Sequence, residues 1–571
     1  MASTAIPAIP IPATRIRSPS LRWLALLAVA LAVFAPLGLV LYQSFLSAPF
    51  FNRTAHATLS AYGFVLGNAQ FRRAFGTSLL VSAGMVVISV PLGSVLAFLL
   101  VRTDLPGRRA LEPLALVPIF LSPIVLAFGY VVAAGPVGFF SLWAKSLVGR
   151  VPWNLYSLWS LILIAGLTHV PHIYLYTSTA LRTLNPELEE AARTTGARPW
   201  RVALSISLPL IRPAMLYGAA LVFLLGFELF GLPLVLGDPA GLLVLTTYLY
   251  KLTNLLGVPS YQLMAVVALS IVVITLPLVY LQRRLLGVAE RYVTVRGKGQ
   301  ALRPLPLGPY RWPALLLVAL WLAFTVLVPL SGALLRSVVT SWGEGVRLTQ
   351  VLTLQHYVNL LSYPNLVRGV LNTLLIGVVG GACSVAAYTG IALAVHRWRS
   401  AGAAALDYLV LIPRALPGLV VGLAFLWVFL FFKPLVPLRN TPVSLWLAYS
   451  VVWLAYGLRL ITTALLQISP ELEEAARVSG ASPVRVYRDV MLPLIRFGMV
   501  GSWLLIFMMF VREYSTGVYL LGAGTEVIGS LIVSLWGTGA LDLISALAVI
   551  NVVLVAAGLL VALRLGVRLH A

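Results

Sequence analysis

The chain has 571 residues, of which 60% are hydrophobic and only 10% charged, and its mean hydropathy is +0.97. These values exclude an ordinary soluble globular domain and describe a polytopic membrane protein. A formal net charge of +23 invites a nucleic-acid reading, but that reading dissolves once the charges are placed between membrane spans.

Apolar runs of the roughly 20 residues needed to cross a bilayer are predicted at 23–46, 75–101, 110–134, 155–180, 213–237 and 260–282. Six more follow at 312–335, 368–395, 405–432, 443–467, 498–521 and 541–563. The first run follows Arg15, Arg17 and Arg22; it is too long for a signal-peptide core and is read as a retained helix. With twelve spans and both termini in the cytoplasm, most Lys and Arg fall on the cytoplasmic side, as the positive-inside bias requires. The basic excess is therefore a topology signal, and no nucleic-acid partner is expected.

The loops after the first span of each half, Ser47 to Arg73 and Ser337 to Arg368, are polar and aromatic and should face outside, as a partner surface or as solvated loop. The stretch from Gln282 to Arg311 carries Arg283, Arg284, Arg291, Arg296, Lys298, Arg303 and Arg311 among Pro and Gly, the composition of a cytoplasmic linker. Two units are expected to meet there: a first half, 1–285, with a charged loop at 182–212, a linker, 286–311, and a second half, 312–571, with a loop at 466–496. Six spans return the chain to its starting side, so the repeats are parallel, related by a pseudo-two-fold axis along the membrane normal.

The two charged loops are near-copies. Pro186 to Met215 and Pro470 to Met499 align without a gap, 284 residues apart, with 19 of 30 positions identical. Each copy specifies a short helix. Asn185 and Ser469 are suited to cap it, Pro186 and Pro470 occupy the first turn, and Glu187, Glu189, Glu190, Glu471, Glu473 and Glu474 complement the positive end of the helix dipole. Glu189–Arg193 and Glu473–Arg477 are i, i+4 pairs, and Gly196 and Gly480 are left-handed stops. Ala191, Ala192, Ala475 and Ala476 leave room for another protein to approach the backbone. A helix lying on the lipid surface would instead be rich in Lys and Arg with a broad bulky face.

Within the spans, Glu228, Arg512 and Glu513 are costly charges that should face the bundle interior. Glu228 and Arg512 are 284 residues apart, so opposite charges hold pseudo-symmetric places. A pathway role and an ion pair between the halves both fit, and the two can coexist in a gate. Met508, Met509, Phe227 and Phe230 suit either a cavity wall or ordinary packing. Arg414, between Pro413 and Pro417, marks a broken helix start expected at the cytoplasmic interface. The histidines show no metal-ligand spacing; only His169 and His172 share a helix face, and packing is the expected role. A single cysteine, Cys383, permits no intrachain disulfide.

The segments Glu190 to Pro209 and Glu474 to Pro493 resemble the EAA signature of membrane subunits of ABC-type importers, with Val490 replacing Ile in the second copy. The resemblance covers nearly the whole chain. It implies a fused permease with the type I importer fold, similar to the iron(III)-type permeases and their thiamine, phosphonate and polyamine relatives, in a bacterial-type cytoplasmic (inner) membrane. In that family the loop is a coupling helix seated in an ATPase cleft. The resemblance therefore implies two cytoplasmic ATPase subunits, an extracytoplasmic solute-binding protein, a small solute as cargo and no cofactor. Coupling would fall to Glu187, Glu190, Ala191, Ala192 and Gly196 with Glu471, Glu474, Ala475, Ala476 and Gly480. The pathway or gate would involve Glu228, Arg512 and Glu513. The chain has no G-x-x-x-x-G-K-[ST] phosphate loop, so ATP hydrolysis is expected on another polypeptide. An ion-coupled secondary transporter would account for twelve spans but not for the acidic, alanine-centred loops. A membrane-embedded enzyme would need a catalytic constellation that the sequence does not assemble.

Overall fold

The computed structural model describes residues 19–184, 186–197, 199–253, 259–291, 304–396 and 400–565. Among them the chain is almost entirely helical, with three isolated β-bridges and no strand. Ten helices are long and apolar enough to cross a membrane, and an eleventh span forms if Pro442–Val452 and Leu454–Leu466, bent by 61° at Trp453, are taken together. The count of twelve continuous spans is thus not met, and the reasons are local.

The first half contains α1 (Pro19–Ser44), α2 (Ala69–Arg102), α3 (Pro123–Ala134), α4 (Leu158–Thr183), α5 (Pro186–Thr194), α6 (Ala203–Glu228) and α7 (Tyr261–Arg291). The second contains α8 (Gly308–Ser337), α9 (Pro364–Val395), α10 (Ala401–Leu411), α11 (Gly418–Phe431), α12 (Pro442–Val452), α13 (Leu454–Leu466), α14 (Pro470–Val478), α15 (Val486–Arg512), α16 (Ile528–Thr538) and α17 (Leu541–Arg564).

The run expected as one span at 405–432 is two helices, α10 and α11. Pro413 and Pro417 remove amide donors, and Pro417 drives Leu416 into an extended conformation (φ −105°, ψ 127°). The eleven residues of α10 rise about 16 Å, half of a ~30 Å hydrocarbon core. Arg414 therefore sits at the break between two helices, each too short to span alone. The third run is shifted instead: its span, Pro123–Val148, begins only after Leu121 and Ser122 turn extended. The spans expected at 213–237 and 498–521 are shifted towards the charged loops. Their helices start at Ala203 and Val486, each through a single π-type turn, and end at Glu228 and Arg512, where Leu229 and Glu513 become extended. Residues 229–237 are apolar because they are buried in protein, which a hydropathy pattern cannot distinguish from burial in lipid.

The two halves exchange their first helices. α1 packs on α9, α10 and α11 of the second half as well as on α7, and the last part of α8, Val328–Ser337, packs on α3 of the first half. The exchange brings backbones together at Gly129 and Gly332: a Cβ on Gly129 would lie 2.2 Å from the Pro329 carbonyl oxygen, and one on Gly332 2.5 Å from that of Gly129. Small residues at such crossings are the usual means of close helix approach in lipid, where no hydrophobic force separates helix from solvent. Tyr130 adds a cross-half hydrogen bond, its hydroxyl donating to the Phe324 carbonyl at 2.7 Å.

Candidate functional site

Two places gather the residues singled out by the sequence: the charged loops and the seam between α6 and α15.

Both loop helices form as expected and end alike. Gly196 (φ +86°) and Gly480 (φ +80°) take the left-handed conformation, and the next amides, Ala197 and Ala481, donate back to Ala192 and Ala476 at 3.1 and 3.0 Å, the Schellman closure that satisfies a last-turn carbonyl. Ser469 stands at the N-cap with extended geometry, but its side chain makes no capping bond; Asn185 lies outside the described residues. Glu187, Glu190 and Ala191 in one copy and Glu471, Glu474 and Ala475 in the other are exposed, with Ala192 and Ala476 half-buried. A Cβ on Gly196 or Gly480 would meet nothing within 4 Å. The Glu-Ala-Ala face is thus turned outward.

What holds each helix is the glutamate expected to complement the helix dipole and serve in an i, i+4 pair. Glu189 is 4% exposed; it forms an ion pair with Arg102, the last residue of α2, whose Nε donates to Oε1 at 3.1 Å, and Ser207 Oγ donates to the same oxygen at 2.7 Å. Glu473 is 2% exposed and meets Nε2 of His396, which follows directly on α9, at 3.1 Å. The expected Glu473–Arg477 pair is present at 3.3 Å. Each loop helix is therefore clamped to the end of a long span by a buried carboxylate and a basic side chain. Arg102 and His396 escaped the sequence reading because nothing in local spacing connects them to glutamates 87 and 77 residues away.

At the seam, the rings of Phe230 and Tyr514 stack with centroids 6.0 Å apart and planes at 6°, and the Gly231 amide donates to the Tyr514 hydroxyl at 2.9 Å. These rings are 284 residues apart, the repeat offset, so the stack lies where a residue meets its own symmetry mate. Glu513 closes the loop beyond α15: its Oε1 accepts from the amides of Ser515 and Thr516, both at 3.1 Å, and from their hydroxyls at 2.9 and 3.1 Å. Glu228 and Arg512, two residues before the stack on either side, form no ion pair with each other. The charges acting on Glu228 are those of Arg414 and Glu513, and Arg512 acts on His169 and His172. Arg414 lies over the Tyr456 ring at 4.4 Å. His169 and His172 stack at 5.3 Å, with His169 Nδ1 against the Ala165 carbonyl at 2.7 Å. Phe227, Phe230, Met508 and Met509 are all buried in the core.

The duplicated architecture has its counterpart in known proteins. A family model described as the binding-protein-dependent transport system inner membrane component matches this chain twice, over residues 89–287 and 386–570. The chain belongs to that family. Its relatives include the ferric transport system permease protein FbpB of Actinobacillus pleuropneumoniae, 25% identical over 480 residues, which are 81% of this chain and 66% of the relative. The putative ferric transport system permease protein FbpB 1 of Haemophilus influenzae is likewise 25% identical over 81% of this chain, with 72% of its own length covered. A shorter match, 34% identical over 154 residues, joins 27% of this chain to 66% of the molybdenum transport system permease protein ModB of Escherichia coli. Against the first of these relatives the chain spans just under two thirds of the relative's length.

Proposed function

We propose that this chain forms the solute pathway of an ATP-driven importer, its two halves standing in for two separate permease subunits. One observation carries the reading: both Glu-Ala-Ala helices are locked from behind by buried Glu189 and Glu473 while their small-residue faces point outward. A helix held rigidly to the end of a membrane span and smooth on its outer face suits transmission of force from a docked protein. Each coupling helix would seat in a separate ATPase subunit, on a cytoplasmic side that also holds both termini, and an extracytoplasmic binding protein would deliver cargo. Closing of the ATPases would draw α5 and α14 together, and the clamps would pass the movement to α2 and α9 and so to the Phe230–Tyr514 stack. Glu228, Arg512 and Glu513 lie beside that stack on the proposed path.

Iron(III) is the cargo the relatives favour, since the two ferric permeases align over 81% of this chain, whereas the molybdenum relative covers 27%. The test is uptake by proteoliposomes holding the chain and its ATPase, supplied with binding protein. Iron(III) accumulation that requires ATP is expected; accumulation driven by an ion gradient without ATP would overturn the importer reading, and ATP-driven uptake of another solute would overturn iron alone.

A further inference from the structure

The proposed pathway is lined by donors in search of an acceptor. Arg512 ends α15 two residues before the stacked pair and is only half-buried, and its guanidinium makes no hydrogen bond or ion pair with any described residue. Arg414, at the break between α10 and α11, is also half-buried and lies over the face of Tyr456. Both arginines come from the second half, and the residue after Arg512, Glu513, has its Oε1 3.3 Å from where a Cβ on Gly418 would stand, four residues beyond Arg414; the charges of both act on His172 of the first half. Two more polar atoms in this neighbourhood are buried without a partner: Nε1 of Trp453, whose ring is 5.3 Å from that of Tyr456, and Nδ1 of His172. Indole nitrogen is a donor only, and guanidinium offers five N–H groups and accepts nothing.

The acidic side is not equivalent. Glu513 spends Oε1 on four donors of its own loop and lies at the start of α11, that oxygen 3.3 Å from where a Cβ on Gly418 would stand, so the positive end of the helix dipole also meets its charge. Glu228, with Oε1 buried and unpartnered, is the one carboxylate left, and Arg414 is the opposite charge acting on it. Among the described residues no three His, Cys, Asp or Glu side chains converge. A bare trivalent cation entering here would meet two guanidinium groups and no ligand cage. An anion would meet unspent donors in a low-dielectric setting, where charge-assisted hydrogen bonds are strongest.

Resting on the pathway reading above, we propose that cargo crosses this chain in anionic form, as an oxyanion or as a ferric ion wrapped in anionic oxygen ligands, with Arg512 and Arg414 as its transit contacts and Trp453 Nε1 as an accessory donor. The test is equilibrium dialysis of the full chain with its ATPase in lipid nanodiscs against labelled sulfate, molybdate, ferric citrate and, as a bare trivalent cation, lanthanum. At least one anionic probe should be retained, with binding weakened roughly tenfold or more in Arg512→Gln and in Arg414→Gln and preserved in Arg512→Lys. Retention of sulfate or molybdate identifies an oxyanion path, and retention of ferric citrate alone a chelate path. Lanthanum binding that depends on Glu228, anion binding that ignores both arginines, or no anion retained by the unaltered chain would each overturn the proposal. Co-purification of the ATPase and ATP-dependent uptake are scored on the same preparations, so failure of the importer reading shows separately from failure of the anionic one.

Discussion

Glu189 and Glu473 show how much can rest on one carboxylate. Removing a partner from a buried ion pair leaves a charge without compensation and costs about 3–5 kcal/mol, so Arg102→Ala should free α5 while α2 and α4 stay packed. Hydrogen exchange should rise across 186–197 with little change in α4, and the ATPase should co-purify poorly. Arg102→Lys should retain part of the association, since the charge survives but the paired N–H geometry does not. A second prediction concerns the outward face. Ala192→Trp should block docking by volume, and Gly196→Val should force a β-branched residue into a left-handed conformation at a cost of about 1–2 kcal/mol; both should insert normally into the membrane, yet pull down less ATPase. At this scale the sequence showed the exposed residues well, because caps, dipoles and small-residue faces are local. It did not show the clamps, because Arg102 and His396 reach their glutamates only through the fold. The Glu228–Arg512 pairing, drawn from symmetry alone, is absent from this conformation, where the charge of Arg414, set between two prolines at the α10–α11 break, acts on Glu228 instead.

Among the elements, the half-length helices are the instructive ones. α10 and α11 are apolar enough to be read as one full span, yet prolines divide them, and buried backbone at such a break is tolerated where protein, not lipid, surrounds it. Hydropathy reports that a segment avoids water and is silent on whether it meets lipid or protein, which is why 229–237 was read as the end of a span. The crossing of α3 and α8 yields a third prediction. Gly129→Leu places a side chain where the Pro329 carbonyl stands at 2.2 Å, so the helices must part and the Tyr130–Phe324 bond must break. The purified variant should unfold at a clearly lower temperature than the parent, whereas Gly76→Leu, on α2 with open space beside it, should be near neutral.

For the molecule as a whole, the repeat was legible in the sequence and its meeting point was not. The 284-residue offset implies an axis, but only the structure shows Phe230 and Tyr514 stacked where residue and mate converge. If the halves rock about that axis, tying the two rings' positions together should arrest them. In a background lacking the single cysteine, Cys383, Phe230→Cys with Tyr514→Cys joined by a short bifunctional thiol reagent should abolish cargo uptake, with reduction of a cleavable linker restoring it; undiminished uptake by the linked form would remove the stack from the path. The exchanged first helices carry a consequence of another kind. Because α1 packs on the second half as well as on its own, and α8 on the first as well as on its own, each half is completed by a partner. Joining them in one polypeptide guarantees that every assembly receives one of each. Such a guarantee frees the two members from having to match, and the loops already record the freedom: a permanently charged arginine secures one coupling helix, and a histidine, whose charge depends on its surroundings, secures the other.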